Sequence, residues 1–196
     1  MMKMHGTTIV AVHKDGVSAI AGDGQVTLGD QIVKKGAVKV RKLNDGKVIA
    51  GFAGATADAF TLMEKFEGYL SSYKGNLMRA AVETVKEWRT DRALRNLEAM
   101  MIAADEKQIL MLSGVGDVIT PDEKVVVVGS GGAYAQAAAL ALLRHSNLSA
   151  KEIARNALQI AADIDIYTSG NMTVLTVPEK QDGDDNDDTG EDDARE

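Results

Sequence analysis

The sequence predicts an α+β fold in which two antiparallel β-sheets pack face to face between layers of helix. Three observations predict it. Strand-like runs in the first fifty residues are joined by tight Asp-Gly turns, so sequence neighbours pair antiparallel. Two later stretches switch to a helical period, and two more do so near the C-terminus. The resulting order is strands, two helices, strands, two helices, strand. Such blocks favour sheet on sheet with helices outside over alternating βαβ units.

Each element has its own signal. "TTIVAVH" (7–13) is rich in threonine and β-branched residues, and "KDG" turns it into "VSAIAGDG". Residues 36–43 form the next strand, and "NDG" turns it into "KVIAGFAG". From Thr56 to Tyr73, Ala59, Leu62, Met63, Phe66 and Leu70 recur at helical spacing until Gly75-Asn76 breaks the run. A second helix is expected from Leu77 to Leu97, carrying Arg89, Arg92 and Arg95 as a solvated charged face, with a subunit contact as the other reading. "MMIAAD" and "QILMLSG" read as a hairpin, and "GDVITP" and "KVVVVGSGG" add strand. Tyr134 to His145 is Ala-rich and helical. Ser149 with Glu152 three residues on is a capping box for a helix to Ile164. "MTVLTV" is the last strand, stopped by Pro178.

The 196 residues suit one domain, placed at residues 7–178 between a leader (1–6) and an acidic tail (179–196). Hydrophobic residues make up 45% but aromatics only 4%, so aliphatic side chains must fill the core. The leader is too short to form an element. The net charge of −7 is misleading, because residues 181–196 hold nine acids and one base. The remainder carries 20 acidic and 21 basic residues. The tail has no apolar side chain larger than Ala194 and cannot offset its own ordering entropy, so disorder is expected there. A near-neutral body without a basic stripe excludes a nucleic-acid binder. There is no cysteine, hence no disulfide, thiolate metal site or Cys nucleophile. No apolar run approaches the ~18 residues of a membrane span, and no signal-peptide core is present. The reading is a cytoplasmic chain.

Several chemistries are missing. The three histidines, His5, His13 and His145, fall in the leader, on a strand read as surface, and at a helix end. No GxSxG elbow or HExxH pair exists. "GSGGAYAQAAA" leads from strand to helix but lacks the spacing and lysine of a nucleotide loop, so it reads as a tight turn. Gly6-Thr7 offers something else. A threonine exposed as a chain start carries its own base, an α-amine of pKa about 7.7–8.0, which can take the hydroxyl proton. A short leader ending in glycine is what such an enzyme requires.

The motifs "TTIVAV", "AGDGQVTLG", "VRKL", "KVIAGFAGATADAFTL", "EWRTDRALRNLEAM", "GSGGAYAQAAA" and "SAKEIA" occur in order. Over residues 6–177 they closely resemble the HslV (ClpQ) family, the peptidase subunits of a bacterial two-component ATP-dependent protease related to proteasome β-subunits. The resemblance implies an N-terminal nucleophile hydrolase fold, a four-layer αββα sandwich, and threonine peptidase activity. It implies Thr7 as nucleophile and its freed amine as base. Lys39 would stand beside Thr7 and favour the neutral amine, and Asp23 would hold Lys39, although an Asx turn explains Asp23 equally well. The Gly51 N–H would face the oxyanion. Ser130 would hydrogen-bond near the amine, its other reading being a cap on the following helix.

One position departs from the family pattern. Asp165 stands where the family carries cysteine, and "DIDIYTSGN" looks more like the Asp-x-Tyr-Ser-Gly-Gly of proteasome β-subunits. Asp165 is therefore expected to support the active-site hydroxyls. The resemblance further implies a cation, Na+ or Mg2+, on the backbone carbonyls of Ala162, Asp165 and Thr168, with no organic cofactor. It implies a double hexameric ring, a separate AAA+ ATPase named HslU (ClpY), and unfolded protein substrates. Two other readings stay open: a non-catalytic ring subunit that keeps its leader, and an amidase acting on small molecules.

Overall fold

The computed structural model describes residues 4–5, 7–54, 56–92, 94 and 99–179. The expectations for Gly6, Arg95 and the tail beyond Glu179 fall outside them. In chain order the strands begin with β1 (Met4–His5), β2 (Thr8–Lys14), β3 (Val17–Asp23), β4 (Val26–Leu28), β5 (Gln31–Lys34), β6 (Val40–Leu43) and β7 (Val48–Ala53). Helices α1 (Thr56–Ser72) and α2 (Leu77–Thr90) follow, then β8 (Met100–Ala104), β9 (Ile109–Ser113), β10 (Val118–Ile119) and β11 (Val125–Gly129). Helices α3 (Gly132–His145) and α4 (Ala150–Ile164) precede β12 (Met172–Val177).

Two antiparallel sheets carry the fold, in the orders β11-β2-β3-β12 and β10-β9-β8-β7-β6. The hairpin of β2 and β3 closes on Asp15 and Gly16 at φ 51° and 73°. Positive φ at both positions is the turn geometry that matches strand twist. Between the sheets, Ile9, Ala11 and Ile20 meet Val40, Ile49 and Ile102. On the outer face of the first sheet, Val10, Val12 and Ala21 pack against Ala139, Ala157 and Leu158 of α3 and α4. On the outer face of the second, Phe52, Met101 and Leu110 pack against Leu62, Phe66 and Trp88 of α1 and α2. The layers therefore run helix, sheet, sheet, helix, as expected. Strand β2 is covered on both faces, so its odd residues serve one core and its even residues another. Each large aliphatic side chain so buried contributes about 1.5–3 kcal/mol.

Four expectations need correction. Helix α2 ends at Thr90, not Leu97: Asp91 is extended at φ −71°, ψ 125°, and its N–H donates to the Glu87 carbonyl. Arg89 lies in the last turn and Arg92 beyond it, so the arginines do not share one helix face. The leader does form an element, since Met4–His5 pairs antiparallel with Thr27–Leu28 at the edge of a small sheet ordered β1-β4-β5. His13 is buried, not on the surface. Its Nδ1 donates to Ser18 Oγ at 2.9 Å, and that hydroxyl donates to the Asp105 carbonyl at 2.6 Å. Burial and the nearby Lys124 hold its pKa below the usual histidine value. The capping box of α4 forms as read, with Ser149 and Glu152 bonded reciprocally.

Candidate active site

Strand alternation separates the two threonines. Residues 9 and 11 face the other sheet and residues 10 and 12 face the helices, so Thr7 falls on the inter-sheet side and Thr8 on the helix side. The burial agrees: Thr8 is 0% exposed, and Thr7 is half-buried. The Thr8 hydroxyl accepts the Gly131 N–H at 2.9 Å and lies 2.7 Å from Thr168 Oγ1. A fully enclosed hydroxyl engaged on both sides cannot attack a substrate, which rules Thr8 out as a nucleophile.

Asp23 and Lys39 meet as expected. Lys39 Nζ donates to Asp23 Oδ1 at 2.8 Å and to the Gln25 carbonyl at 2.6 Å. The Asp23 side chain is fully buried and that of Lys39 is 9% exposed. Such a carboxylate needs more than one partner. The Thr8 N–H donates to Oδ1 at 2.8 Å, and the N–H groups of Gln25 and Ser169 donate to Oδ2 at 2.8 and 3.4 Å. The Gln25 contact is the Asx turn, so both readings of Asp23 hold at once. Burial pushes the Lys39 pKa below its usual value, against the pull of Asp23. Lys34, Lys35 and Lys42 are exposed, as read.

The Gly-rich turn meets this site from the other side. Ser130 N–H donates to the Thr7 carbonyl at 3.0 Å. The turn brings its backbone so close that a Cβ on Gly129, whose φ is +107°, would lie 1.7 Å from that oxygen. Ser130 does not cap α3: Gly131 is the N-cap residue, without a side-chain bond. The Ser130 hydroxyl instead donates to Asp165 Oδ2 at 2.7 Å. Thr168 Oγ1 donates to the same oxygen at 2.5 Å, and the Tyr167 N–H donates to Oδ1 at 3.2 Å. Asp165 thus joins the hydroxyls of Ser130 and Thr168.

Gly51 lies on β7 with Val40 opposite. A Cβ there would lie 2.7 Å from Ile9 and 3.0 Å from Val40, so inter-sheet packing itself demands glycine. The next amide, Phe52 N–H, donates to the Lys39 carbonyl at 3.2 Å. Ala162 lies in the last turn of α4, next to Ala161, whose carbonyl accepts the Asp165 N–H. The Asp165 carbonyl accepts the Thr168 N–H at 3.0 Å. No cluster of three His, Cys, Asp or Glu side chains suits a metal among the described residues. Backbone oxygens of this kind suit a hard cation such as Na+ or Mg2+.

Three residues of the site escaped sequence reading. Thr8 was hidden behind Thr7, though alternation marks it. Gln25 is buried and ties the site together, donating through Nε2 to Thr27 Oγ1 and to the Ile166 carbonyl while its own carbonyl holds Lys39. Gly131 looked like turn chemistry and instead makes room for two hydroxyls.

The paired sheets, the helical outer layers and a threonine at the head of a central strand beside a buried Lys-Asp pair define a proteasome-type architecture. A sequence model described as proteasome subunit matches residues 3–177. The ATP-dependent protease subunit HslV of Desulfovibrio desulfuricans is 58% identical over 177 residues, covering 90% of this chain and 100% of its own. That of Treponema denticola is 58% identical over 170 residues, covering 87% and 96%. The crystal structure of eukaryotic HslV from Trypanosoma brucei superposes at TM-score 0.82 with 46% identity, over 87% of this chain and 98% of that one. Thiobacillus denitrificans BPH, at TM-score 0.69 and 21% identity over 87% and 97%, shares the fold. The chain belongs to the proteasome subunit family, among its HslV-type protease subunits. Among the described residues no helix is long and apolar enough to cross a membrane.

Proposed function

We propose that the chain is a threonine endopeptidase, made competent by a cut between Gly6 and Thr7. The observation that carries this is the difference between the tandem threonines: Thr8 is fully enclosed on the helix side, while Thr7 is half-buried and falls on the inter-sheet side, where Lys39 meets Asp23. Its following peptide bond is one carboxylate oxygen away from the Lys39 ammonium. In the cut chain the Thr7 amine takes the Oγ1 proton, directly or through water, as Oγ1 adds to the substrate carbonyl. The Gly51 N–H faces the oxyanion, where one such donor is worth ~10²–10³ in rate. The amine then returns its proton to the leaving nitrogen, the C–N bond breaks, and water hydrolyses the Thr7 ester. Lys39 keeps the amine neutral, since a neighbouring positive charge disfavours its protonation.

The cytoplasmic assembly would be a double hexameric ring served by HslU (ClpY), the partner that unfolds protein substrates with ATP. The names of the HslV relatives, as ATP-dependent protease subunits, support such a partner. The carbonyls of Ala162, Asp165 and Thr168 would hold Na+ or Mg2+. That ion would supply positive charge to fix the turn after α4 and would take no part in bond cleavage. The test is the intact mass and N-terminal sequence of the purified protein, followed by Thr7→Ala kinetics. A chain beginning at Thr7, active and silenced by Thr7→Ala, is expected. A chain that keeps its leader while active, or an active Thr7→Ala variant, overturns the reading.

A further inference from the structure

We infer that Thr8 is a positioning residue for Thr7, held by a one-way chain of hydroxyl hydrogen bonds that ends on Asp165. The inference rests on the threonine-peptidase reading above. The direction follows from counting protons. A carboxylate accepts and a hydroxyl has one proton to give. Thr168 spends its proton on Asp165 Oδ2 at 2.5 Å. The 2.7 Å contact between Thr8 Oγ1 and Thr168 Oγ1 must then use the proton of Thr8. The Thr8 oxygen in turn accepts the Gly131 N–H at 2.9 Å. Every link has one donor and one acceptor, so the Thr8 side chain has a single satisfied orientation.

This orientation matters because of what the leader cut removes. A residue at a chain start has no preceding peptide to fix it. After the cut, the peptide that joins Thr7 to Thr8 is its one covalent link to the fold. That peptide is held at three points: the Thr7 carbonyl by Ser130 N–H, the Thr8 N–H by Asp23, and the Thr8 side chain by the hydroxyl chain. Releasing the third lets Thr7 shift relative to Lys39 and Gly51. A displacement of about 1 Å in a reacting group costs about 10²-fold in rate. Thr168 is 4% exposed and Thr8 is 0% exposed, so water cannot replace the lost bond.

The experiment compares Thr8→Val, which keeps the shape and removes the hydroxyl, with Thr8→Ser, which keeps the hydroxyl. Both are read as peptide hydrolysis by the full assembled protein with Thr7 verified as the first residue by mass. Thr8→Val is expected to lower kcat about 10²-fold with KM unchanged, and Thr8→Ser to restore most of it. Where Thr8→Val keeps its leader or fails to assemble, Thr168→Val breaks the same chain from outside β2 and is expected to show the same kcat loss. Wild-type kcat in Thr8→Val, or in Thr168→Val where that variant decides, overturns the inference. So does a loss in Thr8→Val that Thr8→Ser shares in full. Thr7→Ala separates the two layers: an active Thr7→Ala enzyme defeats the peptidase reading, whereas a dead Thr7→Ala beside a fully active Thr8→Val defeats the role of Thr8 alone.

Discussion

Lys39 Nζ lies 2.8 Å from Asp23 Oδ1, and the Thr8 amide lies 2.8 Å from the same oxygen. One carboxylate oxygen therefore holds both the ammonium of Lys39 and the backbone amide that follows Thr7. The two partners are not equivalent. Without Lys39, Asp23 keeps the N–H groups of Thr8, Gln25 and Ser169. With Asp23→Asn, an NH2 group faces those donors and Lys39 becomes a buried charge without its counterion. Both Lys39→Met and Asp23→Asn are expected to abolish peptide hydrolysis. Thermal and denaturant unfolding should rank them differently, with Asp23→Asn losing about 3–5 kcal/mol, the range for a broken buried pair, and Lys39→Met losing less.

The Lys39 pKa, pushed below 10.5 by burial, sets a pH window with opposite effects on stability and activity. The folded chain releases this proton at lower pH than the unfolded chain does. In the window between the folded value and 10.5 the unfolded state binds more protons, so this group's contribution to stability rises with pH. It is fully present above 10.5 and is lost as pH falls through the folded value. Activity that needs the ammonium falls across the same window. A kcat profile should therefore show a basic limb that begins below 10.5 while the fold is intact by circular dichroism. A limb that appears only where the fold is lost would remove Lys39 from the account.

Asp165 accepts three hydrogen bonds on two oxygens: Ser130 Oγ and Thr168 Oγ1 on Oδ2, and Tyr167 N–H on Oδ1. Asparagine offers one carbonyl oxygen and turns the other position into a donor. Asp165→Asn should assemble as the parent does, by size exclusion, and lose most peptidase activity. Full retained activity would exclude Asp165 from the site.

Much of this was legible from local chemistry. The "KDG" turn predicted the β2–β3 hairpin because Asp15 and Gly16 tolerate positive φ. Ser149 and Glu152 predicted the start of α4 because the capping box is a local bond pattern. The end of α2 was not legible. Leu94 continues the helical period and is 2% exposed, but it is buried from a turn, with its N–H on the Asp91 carbonyl. Burial alone cannot tell those two states apart, and no Gly or Pro marks the break. Strand β5 is exposed along its whole length, so no alternation announced it. At the site, the resemblance named Asp23, Lys39, Ser130 and Asp165, and the fold brings Asp23 to Lys39 and Ser130 to Asp165 in hydrogen-bond contact. Thr8 and Gly131 were missed because their contacts join segments more than a hundred residues apart, and Gln25 because it binds Lys39 through its backbone carbonyl, which no side-chain pattern marks, and reaches Ile166 from far along the chain.

The acidic tail holds nine acids and one base over residues 181–196. Among the described residues, every member of the three hydrophobic cores precedes Pro178, and Glu179, the last described residue, pairs with the exposed Lys42 at 2.7 Å. A chain ending at Lys180 should form the same assembly by size exclusion and hydrolyse peptides at the parent rate. Failure of that shortened chain to assemble would give the tail a structural role.

Gly131 and Gly132 are adjacent, and the fold asks opposite things of them. A Cβ on Gly131 would lie 2.7 Å from Thr168 Oγ1, 2.9 Å from Thr8 Oγ1 and 3.1 Å from Ala161 Cβ. Its φ of −80° suits any residue, so the constraint is space, and the two hydroxyls can yield only by breaking their bonds. On Gly132 the nearest atom to a new Cβ would be Val127 Cγ1 at 3.9 Å, an ordinary contact. That position also opens α3, where alanine outranks glycine by up to about 1 kcal/mol. Gly131→Ala should thus lose peptidase activity with a lowered melting temperature, while Gly132→Ala should keep activity and melt no lower than the parent. If the two behave alike, the crowding around the Thr8 and Thr168 hydroxyls is not what selects glycine at position 131.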